Sequence, residues 1–570
     1  MNPIVSGSEL DEVEDAVPLK WDRFSRWLHC VCVVTFDLEL GQALEFKYPE
    51  HAVLSDKERS NICYLSFPDS NSGCMGDTQY CFRIRRTSNT TDGDLISVNV
   101  ANDFPAVLQE DDNHYYGYVY FRQVRDKTLK RGYFQKSVVI LSKLPYFNFF
   151  KEIAEIVAPE YFDHGEACLE TACHDVDQWP RPEPGQTLDL PLVGTVVQVR
   201  IPSRCDKPGQ TSSAVAKSAK FQYSISSVHE VEVIKYFQPV LIHSHLLWEL
   251  VLLGEPLVVM STSPEVCANT VLSLISCISP LRYDCDFRPF FTIHDSEFKE
   301  FTSRAQAPPR VLLGVTNPFF TKTLQHWPHI IRIGELGMSS SSSAPSLLSS
   351  DKLKKASKMK TFDTKPGVYT EYKMFLKKDK TFFKSLLRTG HRFTALDSVK
   401  LRRHFLELTQ SFMIPLERYM ASLMPLQRNI SPLRAPPVLK SFRPEEFLAT
   451  VDSQGPQLTS VTKGNWSGLY KKFFQSPNFT AWLNSRRMEM ESKIAALHLA
   501  GLSEMDLVAW CKDKSEVEIV DMILKLREKL DSVKRHEVEL SLAKVSNLQN
   551  QMLSIVNTLP SDLKLVLNIK

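Results

Sequence analysis

Lys130-Arg-Gly-Tyr-Phe-Gln-Lys-Ser-Val-Val-Ile-Leu-Ser-Lys-Leu-Pro145, running straight into Tyr146-Phe-Asn-Phe-Phe-Lys-Glu-Ile-Ala-Glu-Ile-Val157, decides the fold class. Residues 135–141 form an apolar, β-branched run of strand length, with Val138, Ile140 and Leu141 as core residues. Past Pro145 the period changes. Phe149, Ile153, Ile156 and Val157 recur at helical spacing, which predicts a helix over 146–157 packed on the strands. Upstream, Cys30-Val-Cys-Val-Val-Thr-Phe36 reads as a buried strand, 37–41 as a turn, and 43–48, 78–85 and 115–124 as further strands. Several strands followed by a helix make an α+β unit.

Downstream of this unit the chain breaks twice. Trp179-Pro-Arg-Pro-Glu-Pro-Gly185 is a proline-rich loop, and 203–220 has the Pro, Gly, Ser and Ala content of a linker. A second unit starts near Val228. Helices are expected over 239–253 and 264–278, with strands over 256–260, 290–293 and 310–315. Such alternation points to an α/β layer. A serine-rich run, 339–350, interrupts it as an expected mobile loop. From Lys373 onward the pattern is helical: Phe405, Leu408, Phe412, Leu416 and Tyr419 make one apolar stripe, and 473–483 supports another. Ile519, Ile523, Leu526 and Leu530, then Leu542, Val545, Leu548, Met552 and Ile555, describe long amphipathic helices. These either pack back on their own domain or form a coiled-coil or partner-binding surface.

The chain has 570 residues, room for three to five units at roughly 100–200 residues each. Its 43% hydrophobic and 24% charged content is that of a globular protein. A net charge of +2, from 68 basic and 66 acidic side chains, argues against a nucleic-acid-binding protein, which needs a basic footprint to neutralise phosphates. The 12 cysteines follow no framework spacing and include no C-x-x-C pair, so reduced, mostly buried thiols are expected. Cys30 and Cys32 would point to one face of a strand as small core residues. Residues 1–20 are polar and acidic and expected to be disordered. The N-terminus lacks a basic region followed by an apolar run, and the most apolar stretch, 246–260, contains Glu249, Glu255 and Pro256. That falls short of the ~18–20 apolar residues of a membrane span. The chain reads as soluble and cytosolic.

Motifs for covalent chemistry are missing. There is no G-x-x-x-x-G-K-[ST] or G-x-G-x-x-G phosphate loop, no G-x-S-x-G elbow, no kinase signature and no H-E-x-x-H. His243 and His245 would diverge on a helix, with no third ligand at metal spacing. No cofactor is implied. One charged feature stands out: 351–403 carries 16 Lys and Arg against 5 Asp and Glu. It reads either as a solvated face or as a patch attracted to an anionic membrane or acidic partner, with Lys352, Lys354, Lys355, Lys358 and Lys360 beside the serine run.

Three segments carry a resemblance. The 130–145 run is similar to the end of the upstream DENN segment. Leu246-Leu-Trp-Glu-Leu-Val-Leu-Leu-Gly-Glu-Pro-Leu-Val-Val259 resembles the start of the central DENN segment, and Ala307-Pro-Pro-Arg-Val-Leu-Leu-Gly-Val-Thr-Asn-Pro318 resembles its later strand and turn. Their order and spacing match over roughly 25–500, closest to subfamily six of the DENN domain-containing proteins. The resemblance implies a longin-like upstream module over 21–202, a linker over 203–227 and a central α/β DENN module over 228–338. A Ser-rich and basic loop follows over 339–360, then a helical downstream segment over 361–500 and C-terminal amphipathic helices over 501–570.

It further implies guanine-nucleotide exchange on a Rab GTPase, with Rab fourteen on recycling endosomes taken as substrate. The partner would be the Rab in its GDP-bound or nucleotide-free form, seated between the longin and central lobes, with peripheral association to an anionic endosomal membrane. Arg131, Tyr133, Gln135 and Lys136 at the strand entrance, and Thr316, Asn317, Pro318 and Phe319 past a strand end, are the contact candidates. Each also has a bland reading, the latter group as a turn with an aromatic anchor. Two other functions stay open: a GTPase-activating protein using Arg131 as its finger, and a non-catalytic effector or tether.

Overall fold

In a computed structural model of the chain, the described residues are 21–37, 39, 41–69, 75–87, 103–128, 132–206, 223–304, 307–334, 365–387, 393–451, 456, 462–534, 538, 540–560 and 563–564. The acidic 1–20 segment and the serine run at 339–350 lie outside them.

After a short helix α1 (Asp22–Ser25), five strands form an antiparallel sheet: β1 (Cys30–Asp37), β2 (Gly41–Tyr48), β3 (Gly76–Arg85), β4 (His114–Arg125) and β5 (Tyr133–Ser142), in the order β2-β1-β5-β4-β3. All five stand where the strand-like runs placed them. Between β2 and β3 lies α2 (Asp56–Leu65), started by a capping box in which Ser55 and Glu58 satisfy each other's backbone N–H groups. Along β5, Val138 and Ile140 face α3 (Phe147–His164), while Val139 and Leu141 join Ile62, Cys63 and Leu65 of α2 on the other face. Two helices, not one, therefore cover this sheet; α2 is polar enough that no apolar stripe announces it. α3 also outruns its expected end at 157, passing through Pro159 and stopping at Gly165, whose φ of +78° a side chain would resist. Cys30 and Cys32 share one face as buried free thiols, their sulfurs 3.6 Å apart.

α4 (Glu166–Asp177) leads to a small sheet of β6 (Thr187–Leu192), β7 (Thr195–Arg200) and β8 (Tyr223–Ile225). Here the linker expectation over 203–227 is corrected. Its last residues form β8, which pairs in parallel with β7. Three residues with one buried side chain are too short for a period to be seen.

The second lobe begins with α5 (Val233–Phe237) and α6 (Ser244–Leu252), then β9 (Leu257–Met260), α7 (Pro264–Ser276), β10 (Asp286–Phe291), β11 (Val311–Val315) and β12 (His329–Arg332). The order β10-β11-β9-β12 is parallel throughout. β9 and β11 are buried at every position, as strands covered on both faces must be. The fifth strand, β13 (Gly367–Thr370), runs antiparallel to β12. The central sheet thus does not end at 338; it is completed from within the segment expected to be helical.

The remainder is helical. α8 (Lys380–Leu387) precedes α9 (Ala395–Leu423), whose Phe405, Leu408, Phe412, Leu416 and Tyr419 are all buried. The stripe expected over 473–483 is instead the meeting of α10 (Trp466–Phe473) and α11 (Pro477–Glu504). Pro477 cannot continue a helix from Phe473 but suits a first turn, and the Ser476 hydroxyl accepts the Phe479 N–H at 3.1 Å. At the C-terminus α12 (Leu507–Cys511), α13 (Glu516–Lys534) and α14 (Leu542–Thr558) form their own core. Ile519, Ile523, Leu526 and Leu530 close on Leu548, Ile555 and the end of α11. No helix of the described residues is long and apolar enough to cross a membrane.

Candidate functional site

The two five-stranded sheets meet along their edge strands β3 and β10, and the junction is ionic. Arg83 of β3 reaches across with Nη1 to Asp286 at 2.7 Å, while Nη2 binds Asp111 at 2.7 Å. In return Arg288 of β10 donates to the Arg83 carbonyl at 3.1 Å and pairs with Asp286 at 3.0 Å and with Glu297. Arg85 adds a 2.8 Å bond to Glu297. Arg288 has no exposed side-chain surface and Arg83 only 7%. Two buried arginines, with the half-exposed Arg85 at the rim, therefore face three largely buried carboxylates. Placing charges there is costly, and the desolvation is offset only because each is paired and hydrogen-bonded. Burial raises the pKa of Asp111, but the hydrogen bond from His114 and the charge of Arg83 outweigh it and hold the carboxyl well below its usual range. Asp286 is likewise held down, burial being overcome by Arg288 and Arg83. The His114 pKa is lowered too, by burial and by Arg83 despite Asp111, which for an imidazole favours the neutral form.

A second set of contacts lies at the carboxyl ends of β10 and β11, covered by α2. Asn61 exchanges two 3.2 Å hydrogen bonds with Ser296, and Tyr64 stacks on His294 with centroids 4.6 Å apart. Beyond α2 the chain bridges the lobes. Ser137 of β5 donates to the Ser66 carbonyl at 2.6 Å, and three residues later Asp69 accepts the Thr316 hydroxyl hydrogen. Burial raises the Asp69 pKa, partly countered by Thr316 and Asn317.

Residues 66–69 thus link the two groups of contact candidates. Thr316 is buried and serves the inter-lobe bond. Asn317 turns the chain, its side-chain oxygen accepting the Phe319 N–H at 3.0 Å. Phe319 is 53% exposed, resting against Phe298 at 6.2 Å. On β5, Tyr133 and Gln135 project with Ser137 toward the α2 face, and Gln135 bonds Gln123 at 2.6 Å. Lys136 points to the opposite face and is held by Glu45 at 2.8 Å and by Tyr161. One partner cannot use all of the strand-entrance residues. Arg131 and the run Lys352, Lys354, Lys355, Lys358 and Lys360 lie outside the described residues. His245 meets His404 edge to edge in nearly parallel planes, with Nε2 atoms 2.8 Å apart. Among the described residues no three His, Cys, Asp or Glu side chains are grouped for a metal.

The junction residues Asn61, Tyr64, Asp69, Arg83 and Arg288 were not singled out from the sequence. The signal was there for Arg83 and for Asp286-Phe-Arg288: charges inside otherwise apolar strands must find buried partners.

Two family comparisons match this chain in succession: residues 28–284 match the family described as transport protein Avl9, and 507–570 match the DENND6 C-terminal domain. They define a protein of the DENN-domain class. Among curated relatives, Protein DENND6A of Mus musculus is 56% identical over 559 residues, covering 96% of this chain and 91% of its own. Protein DENND6B of Homo sapiens is 53% identical over 560 residues, covering 96% and 94%. Protein DENND6 homolog of Dictyostelium discoideum is 33% identical over 573 residues, covering 89% and 77%. The chain belongs to the DENND6 family.

Proposed function

We propose that this protein works in membrane trafficking as a guanine-nucleotide exchange factor for a Rab GTPase, Rab fourteen on recycling endosomes being the substrate to test first. In this reading the β1–β5 sheet with α2 and α3 is the longin-like module, and the β9–β13 sheet is the core of the DENN module. Release of GDP breaks no covalent bond. A Rab holding GDP at nanomolar affinity, about −12 kcal/mol, lets go slowly, and a surface that binds its switch loops in another shape shifts the population toward the nucleotide-free state. Such a surface needs fixed shape and placed side chains, not acids, bases or a cofactor.

The observation that carries the reading is the ionic seam with the adjoining Asp69–Thr316 bond. Together they fix two sheets in one geometry beside the exposed Phe319. Asn317, Phe319, Tyr133 and Gln135 flank that junction and are the contacts we favour. The basic run at Lys352, Lys354, Lys355, Lys358 and Lys360 would serve peripheral attachment to an anionic membrane.

The test is release of fluorescent GDP from a panel of purified Rabs. At least one Rab should release faster with the protein present, and Phe319→Ala should lower kcat/KM at least about tenfold, as loss of an exposed aromatic anchor does. A panel with no accelerated release refutes the proposal. Faster phosphate production in place of GDP release would move the assignment to a GTPase-activating protein, with Arg131 as the residue to substitute.

A further inference from the structure

The charge excess of the downstream segment does not all fall in the 352–360 run. Lys373, Lys377, Lys380 and Lys384 on and before α8, and Lys463 and Lys471 at α10, are exposed, and none is ion-paired to another described residue. Two of their arrangements work against stability. Leu376 and Gly464 form an antiparallel bridge, and the Lys377 N–H donates to the Lys463 carbonyl at 2.7 Å, so these lysines stand directly opposite one another. Like charges so placed repel. On α8, Lys380 and Lys384 repeat this one turn apart. The acids of this stretch are otherwise engaged: Asp379 accepts the N–H groups of Thr381 and Phe382 at 3.0 Å to start α8, and Glu371 has a partner of its own. Lys472 is neutralised by Glu255 at 2.8 Å.

From this geometry we infer that the folded face formed by α8 and the Leu376–Gly464 bridge is a docking surface for an anionic lipid bilayer. Every member is lysine, a hydrated point charge on a flexible stem. A single phosphate held in fixed geometry calls for the planar fork of arginine instead. The lysines are spread over α8, the residues before it and the α10 side, and none lines the clefts beside Asn547 or beside Tyr118, which suits a diffuse surface potential. The inference deepens the membrane reading above and rests on it, but it assigns the contact to residues of the folded body.

The experiment is co-sedimentation of the full chain with vesicles of phosphatidylcholine and phosphatidylserine at about 3:1, against phosphatidylcholine alone. The unaltered protein should bind the anionic vesicles, weakening as salt rises. The variant Lys377→Glu/Lys380→Glu/Lys384→Glu/Lys463→Glu should lose at least about tenfold in partition. A second variant, with the five lysines of the 352–360 run changed to Gln, separates the two sources. If that variant alone loses binding, the face assigned here is wrong while the membrane reading stands. If the unaltered protein ignores anionic vesicles, both fall. Lys463→Glu alone guards against misfolding. It turns the cross-strand repulsion into attraction, so its melting temperature should not drop, and its vesicle binding should still weaken; unchanged binding overturns the inference.

Discussion

Arg83→Ala tests whether the ionic seam holds the lobes together. The guanidinium makes bonds of 2.7 Å to Asp111 and to Asp286 and lies 4.3 Å above the Phe287 ring. Its removal leaves two carboxylates in a seam where they have little water to replace it. Breaking a buried pair from one side costs about 3–5 kcal/mol, whereas an exposed pair is worth about 0–1. A chain with several cores is not expected to unfold in one step. The readout is therefore native-state hydrogen exchange at β3 and β10, alongside the first urea transition. Protection there should fall by about two to three and a half orders of magnitude, since each 1.4 kcal/mol is tenfold. The sign of the pH dependence is also fixed. Asp111 and Asp286 have folded pKa values below their unfolded ones, so their contribution is present above the unfolded value and is lost as pH falls through the folded one. The penalty of the substitution should then be full at neutral pH and shrink below about pH 4. A loss under about 1 kcal/mol, or one that ignores acid, would refute the argument.

Thr316→Val leaves the buried Asp69 carboxyl with Asn317 but without its hydroxyl donor and should cost about 1–3 kcal/mol, with Asp69→Asn partly rescuing it in a double-mutant cycle followed by urea denaturation. Acidification should weaken the fold through histidines that are buried in the neutral form. Burial lowers His245 to about 3 and His329 to about 4, so the unfolded chain takes up protons first as pH drops below ~6.5, and stability present at pH 7 is lost from there down. Thermal melts between pH 7 and 5 should fall, and His329→Gln should flatten the slope; a flat profile in the unaltered protein would count against this. Gly117→Ala on β4 would drive a methyl carbon into the Phe82 ring and should cost at least about 1–3 kcal/mol, read as a lower melting temperature.

Most elements of both lobes were legible because their residues obey a period. The strand-to-helix change at Pro145 and the buried β9 run each state their own geometry. What escaped obeys no local rule. β8 and β13 are too short to show alternation, and each exists because a neighbouring strand offers it a ladder. α2 escaped because its helix rests on capping and on a few apolar contacts. For the candidate site, the sequence located the strand end at Thr316 through Phe319 and the strand entrance at Tyr133 through Lys136. It did not reveal which face of the sheet Lys136 and Gln135 each take, because polar positions on a strand do not mark the covered side. The seam between the lobes pairs residues some two hundred positions apart. Only the buried charges themselves hinted that partners must exist.

The antiparallel pairing of β12 with β13 has a practical consequence. His329 lies opposite Thr370 and Arg332 opposite Gly367, so the chain that leaves the sheet after β12 re-enters it at the adjoining position. Whatever lies between is tethered at both ends to one point on the sheet border, and lengthening such a tether costs only about 0.6 kcal/mol per doubling. A fluorescent reporter spliced between β12 and β13 should therefore leave the host's melting curve nearly untouched, making that connection the natural socket for a probe.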